Sequence, residues 1–168
     1  TLDNKSGYYN LTLNPASRPC TAISGPRARY HFCRVPMGLS TSSAQYQKAV
    51  TDLLRSQLDQ GHLQVYQDDV ILASNSLESH LKALRSIFQK YDEANIRFNA
   101  KKSSICCSRA VFLGWQIDSR GLSMDPRRCD VIRRFLPPKN VKQVRSYLGA
   151  INYWRKLIPK MAQIAEPL

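Results

Sequence analysis

No stretch of the chain has more than four apolar residues in a row. A helix that crosses a bilayer needs about 20, so no membrane span is expected. Acidic residues are scarce: 12 Asp and Glu face 25 Lys and Arg, a formal charge of +13 over 168 residues. Histidine is scarcer, three in all, and no C-x-x-C pair or cysteine–histidine grouping has the spacing of a zinc site. The five cysteines (Cys20, Cys33, Cys106, Cys107, Cys129) are odd in number, which argues against a closed disulfide framework and for reduced thiols in an intracellular compartment. Cys106 and Cys107 would face opposite sides of a strand, which disfavours a shared ligand role. There is no signal peptide pattern, and the first methionine is Met37, so the chain is expected to be a piece of something longer. Its length suits one domain or two small subdomains and suffices to bury a core without crosslinks.

What charge is present is unevenly spread. Residues 1–84 carry eight basic and six acidic side chains, a net of +2, and residues 85–168 carry seventeen and six, a net of +11. A basic half of this kind suits a polyanion, nucleic acid before membrane, because no basic amphipathic anchor accompanies it. A solvated basic surface is the equal alternative on charge alone.

Hydrophobic periodicity predicts the elements. A turn at residues 4–7 precedes strand-like alternation through Leu11 and Leu13. Strand material near Cys20–Ile23 and Tyr30–Arg34 is separated by turns. Tyr46, Val50, Leu53, Leu54 and Leu58 give a helix over 42–60, closed by Gly61. His62–Tyr66 and Val70–Ala73 are strands flanking Gln67-Asp68-Asp69. Asn75 with Glu78 reads as a capping box opening a helix to about Ala94. Residues 96–118 are strand-like, and Gly121–Met124 closes a hairpin. Asp125-Pro126 starts a helix that Pro137-Pro138 ends, and Asn140 caps another through Tyr153. Helices alternating with antiparallel strands make an α+β fold.

Asp68-Asp69 at a hairpin tip concentrates negative charge that divalent cations, Mg²⁺ first, would neutralise. Aspartate also favours turns for its own reasons, so the doublet alone is weak. Its company strengthens it: Asp3 before a Ser6-Gly7-Tyr8 turn, Pro36-Met37-Gly38 before a helix, Lys101-Lys102, and Phe112-Leu113-Gly114-Trp115. A third carboxylate facing the doublet would complete a site for two metal ions. Taken singly, Tyr8 is an ordinary strand aromatic, Gly38 a turn glycine, Ser42 a helix cap and Lys101-Lys102 a solvated pair.

Taken together, D-x-x-S-G-Y (Asp3 to Tyr8), P-x-G-L-S (Pro36 to Ser40), Y-x-D-D (Tyr66 to Asp69), F-N-x-K-K (Phe98 to Lys102), Val111-Phe112-Leu113-Gly114 and the tail from Arg145 to Pro159 resemble the reverse transcriptases of gypsy-type LTR retrotransposons and retroviruses. The resemblance implies an α+β polymerase palm, an antiparallel sheet with helices on one face, over 1–118. The end of the primer-grip hairpin and a basic helical thumb or connection segment would follow over 119–168. It implies that Asp3, Asp68 and Asp69 hold two Mg²⁺ or Mn²⁺ ions and that Lys101 is the general acid. Tyr8 would be a steric gate against a 2′-hydroxyl. Pro36, Met37, Gly38, Gln47, Tyr66 and Gln67 would contact template, base pair or dNTP. Phe112 to Trp115 would grip the primer, and Arg145, Arg155, Lys156 and Lys160 would contact the backbone of an RNA/DNA template–primer duplex. Tyr147, Leu148, Ile151, Leu157 and Ile158 would face the core.

It also implies RNA-directed DNA polymerase activity in a parent Pol polyprotein fused to RNase H, integrase and protease, in a cytoplasmic virus-like particle with a nuclear stage. The chain departs from the family pattern at Asn4, where an aliphatic residue is usual, at Met37, where an aromatic is common, and at Ser42-Ser43, in place of Ala-Pro. The fingers that would precede Asp3 are not among these residues, so the fragment by itself is expected to be inactive. A catalytically dead nucleic-acid-binding or scaffold derivative is the alternative.

Overall fold

The computed structural model describes residues 1–167; Leu168, last of the expected second segment, lies outside them. The chain divides into two compact units, Thr1–Cys107 and Ser108–Leu168. The division falls earlier than the 118/119 boundary expected from the sequence. The reason is pairing: the strand at 109–112 joins the hairpin that follows it, not the first unit's sheet.

The first unit is built on a three-stranded antiparallel sheet of β1 (Leu2–Asp3), β4 (Leu63–Tyr66) and β5 (Asp69–Leu72), in the order β1-β5-β4. A short ribbon, β2 (Ile23–Ser24) with β3 (Arg29–Tyr30), stands apart from it. Around them lie α1 (Gly7–Asn10), α2 (Ser42–Leu53), α3 (Arg55–Leu58) and α4 (Leu77–Glu93). Side chains alternate across a strand, so Leu2, Leu63, Val65, Val70 and Leu72 share the inner face. There they meet Tyr46 and Val50 of α2 and Leu84, Ile87 and Tyr91 of α4 in one cluster. Leu63, Val70, Val50 and Ile87 are fully enclosed, each contributing roughly 1.5–3 kcal/mol of transfer free energy. Asp3, Gln64, Tyr66 and Asp69 take the other face.

Several expected elements differ. Of the strand predicted through Leu11 and Leu13, residues 7–10 are instead the single turn α1, while Thr12 pairs antiparallel with Arg34 in an isolated bridge. Pro15–Thr21 is a 3-10 helix begun by the Asn14 side chain, which accepts from Ala16 N–H at 3.0 Å. The helix predicted over 42–60 breaks at Leu54, whose ψ of 13° leaves the helical region, and resumes as α3. Ser42 is not its cap: its hydroxyl donates to the Pro36 carbonyl at 2.8 Å and ties the preceding loop to the helix. The capping box of α4 is Ser76 with Ser79, each side chain accepting the other's backbone N–H, not Asn75 with Glu78. Residues 96–108 form no named strand. Ile96 and Phe98 alternate because both pack on the cluster, and the segment pairs only at the Asn4–Phe98 bridge. Cys106 and Cys107 are exposed and in no strand.

The second unit is a meander of β6 (Arg109–Phe112), β7 (Trp115–Asp118) and β8 (Gly121–Met124), then α5 (Pro126–Arg133), α6 (Val141–Asn152) and α7 (Met161–Ala165). Leu113 and Gly114, at φ 50° and 81°, make the two-residue turn that suits a right-twisted hairpin. The Asp125 and Asn140 side chains cap α5 and α6, accepting from Arg127 and Gln143 N–H. Trp154, 4% exposed, is the anchor, edge-on to Trp115 with ring centroids 4.8 Å apart. Among the described residues no helix is long and apolar enough to cross a membrane.

Candidate active site

The antiparallel register sets Asp3 directly opposite Asp69, and both belong to the outer face of the sheet. Asp68 is next along, in the two-residue turn between β4 and β5. Gln67 opens that turn at φ 51°, a left-handed conformation that costs a residue with a Cβ about 1–2 kcal/mol. Gln47 of α2 offsets the cost. Its side-chain oxygen accepts Gln67 N–H at 2.6 Å, and its nitrogen donates to the Val65 carbonyl at 3.2 Å. Gln47, expected to touch the nascent base pair, thus holds the aspartate turn in place. The backbone of the next segment closes the other side, Asn4 N–H donating to the Asp68 carbonyl at 2.8 Å.

Asp68 sends Oδ1 inward, where it is enclosed without a hydrogen-bond partner. It lies against Gly7 and the Tyr46 ring, so closely that any Cβ at Gly7 would overlap both. That contact is why the Ser-Gly-Tyr turn needs a glycine. Burial, foremost, raises the Asp68 pKa, and the charges of Asp3 and Asp69 add to the rise. The adjacent Tyr46 hydroxyl and Lys102 pull it down. Asp69 is likewise raised, by burial first and by Asp3 next, against Lys102. The charge of Asp3 thus acts on both aspartates of the turn.

Of the Lys101–Lys102 pair, it is Lys102 whose charge lowers the pKa of both aspartates. The turn is what selects it: Lys102 N–H donates to the Asn99 carbonyl, Asn99 N–H to the Asp3 carbonyl, and Asp3 N–H to Ser103 Oγ at 3.0 Å. Tyr8 packs on Tyr46, ring centroids 5.1 Å apart, and its hydroxyl pairs with Ser43 Oγ at 3.0 Å. Pro36 is buried, whereas Met37 is 57% exposed and Gly38 sits at φ 92° with open space around it. Tyr66 is 52% exposed. Tyr46, Tyr91, Ser43 and Ser103 support the site without having been assigned to it from the sequence. Tyr46 and Tyr91 lie in helix stripes that read as plain core, and nothing in periodicity tells where a hydroxyl points. Burial drives Tyr91 up to about 12 and Tyr46 well above the usual phenol range.

In the second unit, Phe112, Leu113, Gly114 and Trp115 surround the β6–β7 turn. Tyr153 OH donates to the Leu113 carbonyl at 2.8 Å, and a Cβ on Gly114 would press on the Trp154 ring. Arg145, Arg155, Lys156 and Lys160 are exposed and form no ion pair among the described residues. Leu157, expected in the core, is 39% exposed.

An antiparallel palm-like sheet with acidic residues brought together at a turn defines a class, the nucleic-acid polymerases, and comparison narrows it. Residues 1–117 match the family described as reverse transcriptase (RNA-dependent DNA polymerase), and the chain belongs to that family. It is 33% identical over 168 residues to the retrovirus-related Pol polyprotein from transposon opus and 34% identical to that from transposon gypsy, both of Drosophila melanogaster. All of the chain is covered, but it spans only 17% and 16% of those polyproteins. Among solved structures, the foamy viral protease-reverse transcriptase in complex with double-stranded DNA matches 99% of this chain and 29% of its own, with a TM-score of 0.90 and 27% identity. The same enzyme with an RNA/DNA hybrid matches 99% of this chain and 22% of its own, with a TM-score of 0.85 and 27% identity. The α+β reverse-transcriptase fold expected from the sequence is the fold observed.

Among the described residues no three acidic, histidine or cysteine side chains converge on one point as an ion would require; Asp68 Oδ1 is turned away from the face that holds Asp3 and Asp69. The donor set nonetheless fits a hard divalent cation. It is all oxygen, and the Asp68 and Asp69 carboxylates have raised pKa values with Lys102 as their one named cationic influence.

Proposed function

We propose that the protein containing this chain is an RNA-directed DNA polymerase that extends a DNA primer with dNTPs on an RNA or DNA template. Asp3, Asp68 and Asp69 would hold two Mg²⁺ or Mn²⁺ ions. The observation that carries this reading is the pairing of Asp3 with Asp69 across adjacent strands, with Asp68 beside them, in a chain of the reverse-transcriptase family. When bound, the ions supply charge neutralisation at the attacking 3′-oxygen and at the leaving group. The primer 3′-hydroxyl would pass its proton to solvent water and bond to the α-phosphorus of the dNTP as the bond to pyrophosphate breaks. Lys102 Nζ, whose charge reaches Asp68 and Asp69, gives a proton to the departing pyrophosphate oxygen. Tyr8, locked by Tyr46 and Ser43, presents a rigid ring edge that a 2′-hydroxyl would meet. Gln47 keeps the aspartate turn fixed, and positioning of this kind supplies much of such catalysis. Arg145, Arg155, Lys156 and Lys160 are free to meet phosphates. The solved relatives' duplex and hybrid complexes support a template–primer as the partner.

The absence of a converged three-carboxylate cluster favours a second reading, a nucleic-acid-binding protein without catalysis. Primer extension by the intact protein separates the two. Wild type is expected to incorporate dNTPs, and Asp68→Asn to lose about a thousandfold in rate, the several kcal/mol that metal stabilisation provides. Extension that survives in the variant contradicts the catalytic reading.

A further inference from the structure

Asn4 is 3% exposed, at a place where a polar side chain costs free energy unless its hydrogen bonds are made. Its amide nitrogen donates to the Tyr46 hydroxyl at 2.8 Å and to the Tyr91 hydroxyl at 3.4 Å. Its amide oxygen has no partner. One other enclosed side-chain atom among the described residues is also unpartnered, and it is Asp68 Oδ1. A leucine of the same shape would satisfy packing, so packing gives no reason for the amide, but that leucine would leave the buried Tyr46 and Tyr91 hydroxyls without the N–H they accept from.

Hydrogen-bond chemistry does give one. A phenol that accepts from an amide N–H keeps its own proton available. For Tyr46 the nearby acceptor is Asp68 Oδ1, because the hydroxyl and that oxygen crowd the same space over Gly7. The two groups adjoin without a well-formed bond, and the amide behind Tyr46 fixes which way the hydroxyl can turn. Asp68 as a residue keeps partial exposure, which leaves Oδ2 as the oxygen a cation can reach. Building on the cation-binding reading above, we propose that Asn4 is a positioning residue: through Tyr46 it holds Asp68 Oδ1 against Gly7, so that Oδ2 is the oxygen offered to a divalent ion. Tyr91 braces the same amide from α4, linking the core to the site.

The test uses Mn²⁺ alone as probe, its binding to the intact protein followed by electron paramagnetic resonance without nucleotide or turnover. Asn4→Leu and Tyr46→Phe are each expected to weaken Mn²⁺ binding about tenfold, the lower end of what losing a group that orients a metal ligand costs. The double variant is expected to bind no more weakly than the worse single one, since both substitutions break one chain of hydrogen bonds. The melting temperature of Asn4→Leu is expected to fall, because the buried Tyr46 and Tyr91 hydroxyls lose the N–H they accept from. Tyr46→Phe keeps its ring in the core and carries the test if Asn4→Leu does not fold. Asp68→Asn is the control. If it weakens Mn²⁺ binding while Asn4→Leu and Tyr46→Phe do not, the positioning role is overturned and the cation reading stands. If it leaves binding unchanged, both fall. Weakening confined to Asn4→Leu, in step with its lower melting temperature, while Tyr46→Phe binds as wild type, also overturns the role.

Discussion

The paired Asp68 and Asp69 carry opposite implications for stability and for chemistry. Both pKa values are raised above the ordinary 3.8, by burial first and then by neighbouring carboxylates. A group raised on folding contributes stability that is fully present below its unfolded pKa and is lost as pH rises through its folded value. At neutral pH without a cation, the pair is therefore a cost. Asp68→Asn is expected to raise the melting temperature of the chelator-treated protein at pH 7, and the difference from wild type should vanish toward pH 3. A variant that melts below wild type at pH 7 would show that Asp68 is compensated. The aspartates and Gly7 were singled out in the sequence by the ordered set of motifs around them and the resemblance they carry. Their supports were not. Whether Lys101 or Lys102 faces the site depends on how the Asn99–Ser103 turn is wound, and the role of Asn4 depends on where two tyrosine hydroxyls from distant helices arrive.

Elements were most legible where a long apolar stripe had one way to be buried. α4 forms where the apolar stripe Leu77, Leu81, Leu84, Phe88 and Tyr91 predicts a helix, but the buried face is Leu84, Ile87 and Tyr91, with Leu77, Leu81 and Phe88 exposed. The strands around Asp68 begin and end where alternation predicted, within a residue or two. Short segments were less so. Of the alternation at residues 8–13, the first part became α1, because Gly7 has to lie against Asp68 and Tyr46, and the second pairs at the Thr12–Arg34 bridge. Ile96 and Phe98 alternate as anchors without forming a ladder. The capping box also differed from its spacing rule, since serine at both positions satisfies the same two backbone groups. Ser76→Ala removes that cap and is expected to cost about 1 kcal/mol, a fall of roughly 2–4 °C in a chain of this size. An unchanged melting temperature would mean that the start of α4 is held by packing alone.

At the scale of the molecule, the net charge of +13 is concentrated in the half of the chain that contains the second unit, which was visible from counting alone. Arg145, Arg155, Lys156 and Lys160 are exposed and unpaired among the described residues. If each neutralises one phosphate, replacing any one by alanine should weaken duplex binding with little regard to sequence and flatten the slope of log affinity against log salt by about 0.9. A slope unchanged by all four substitutions would place the nucleic acid elsewhere. The division into units was harder to read, because residues 109–112 are as apolar as a strand of the first sheet and only their pairing shows otherwise.

The central claim is that a divalent ion sits between the Asp3 segment and the Asp68–Asp69 turn. Replacing Mg²⁺ with Fe²⁺ and generating hydroxyl radicals at the bound iron, with ascorbate and peroxide, cuts the backbone near the ion and so maps it directly. Cleavage is expected in two places, around residues 2–5 and 66–70, and both cuts should disappear in Asp68→Asn. Cuts confined to other segments, or unaffected by that substitution, would contradict the account.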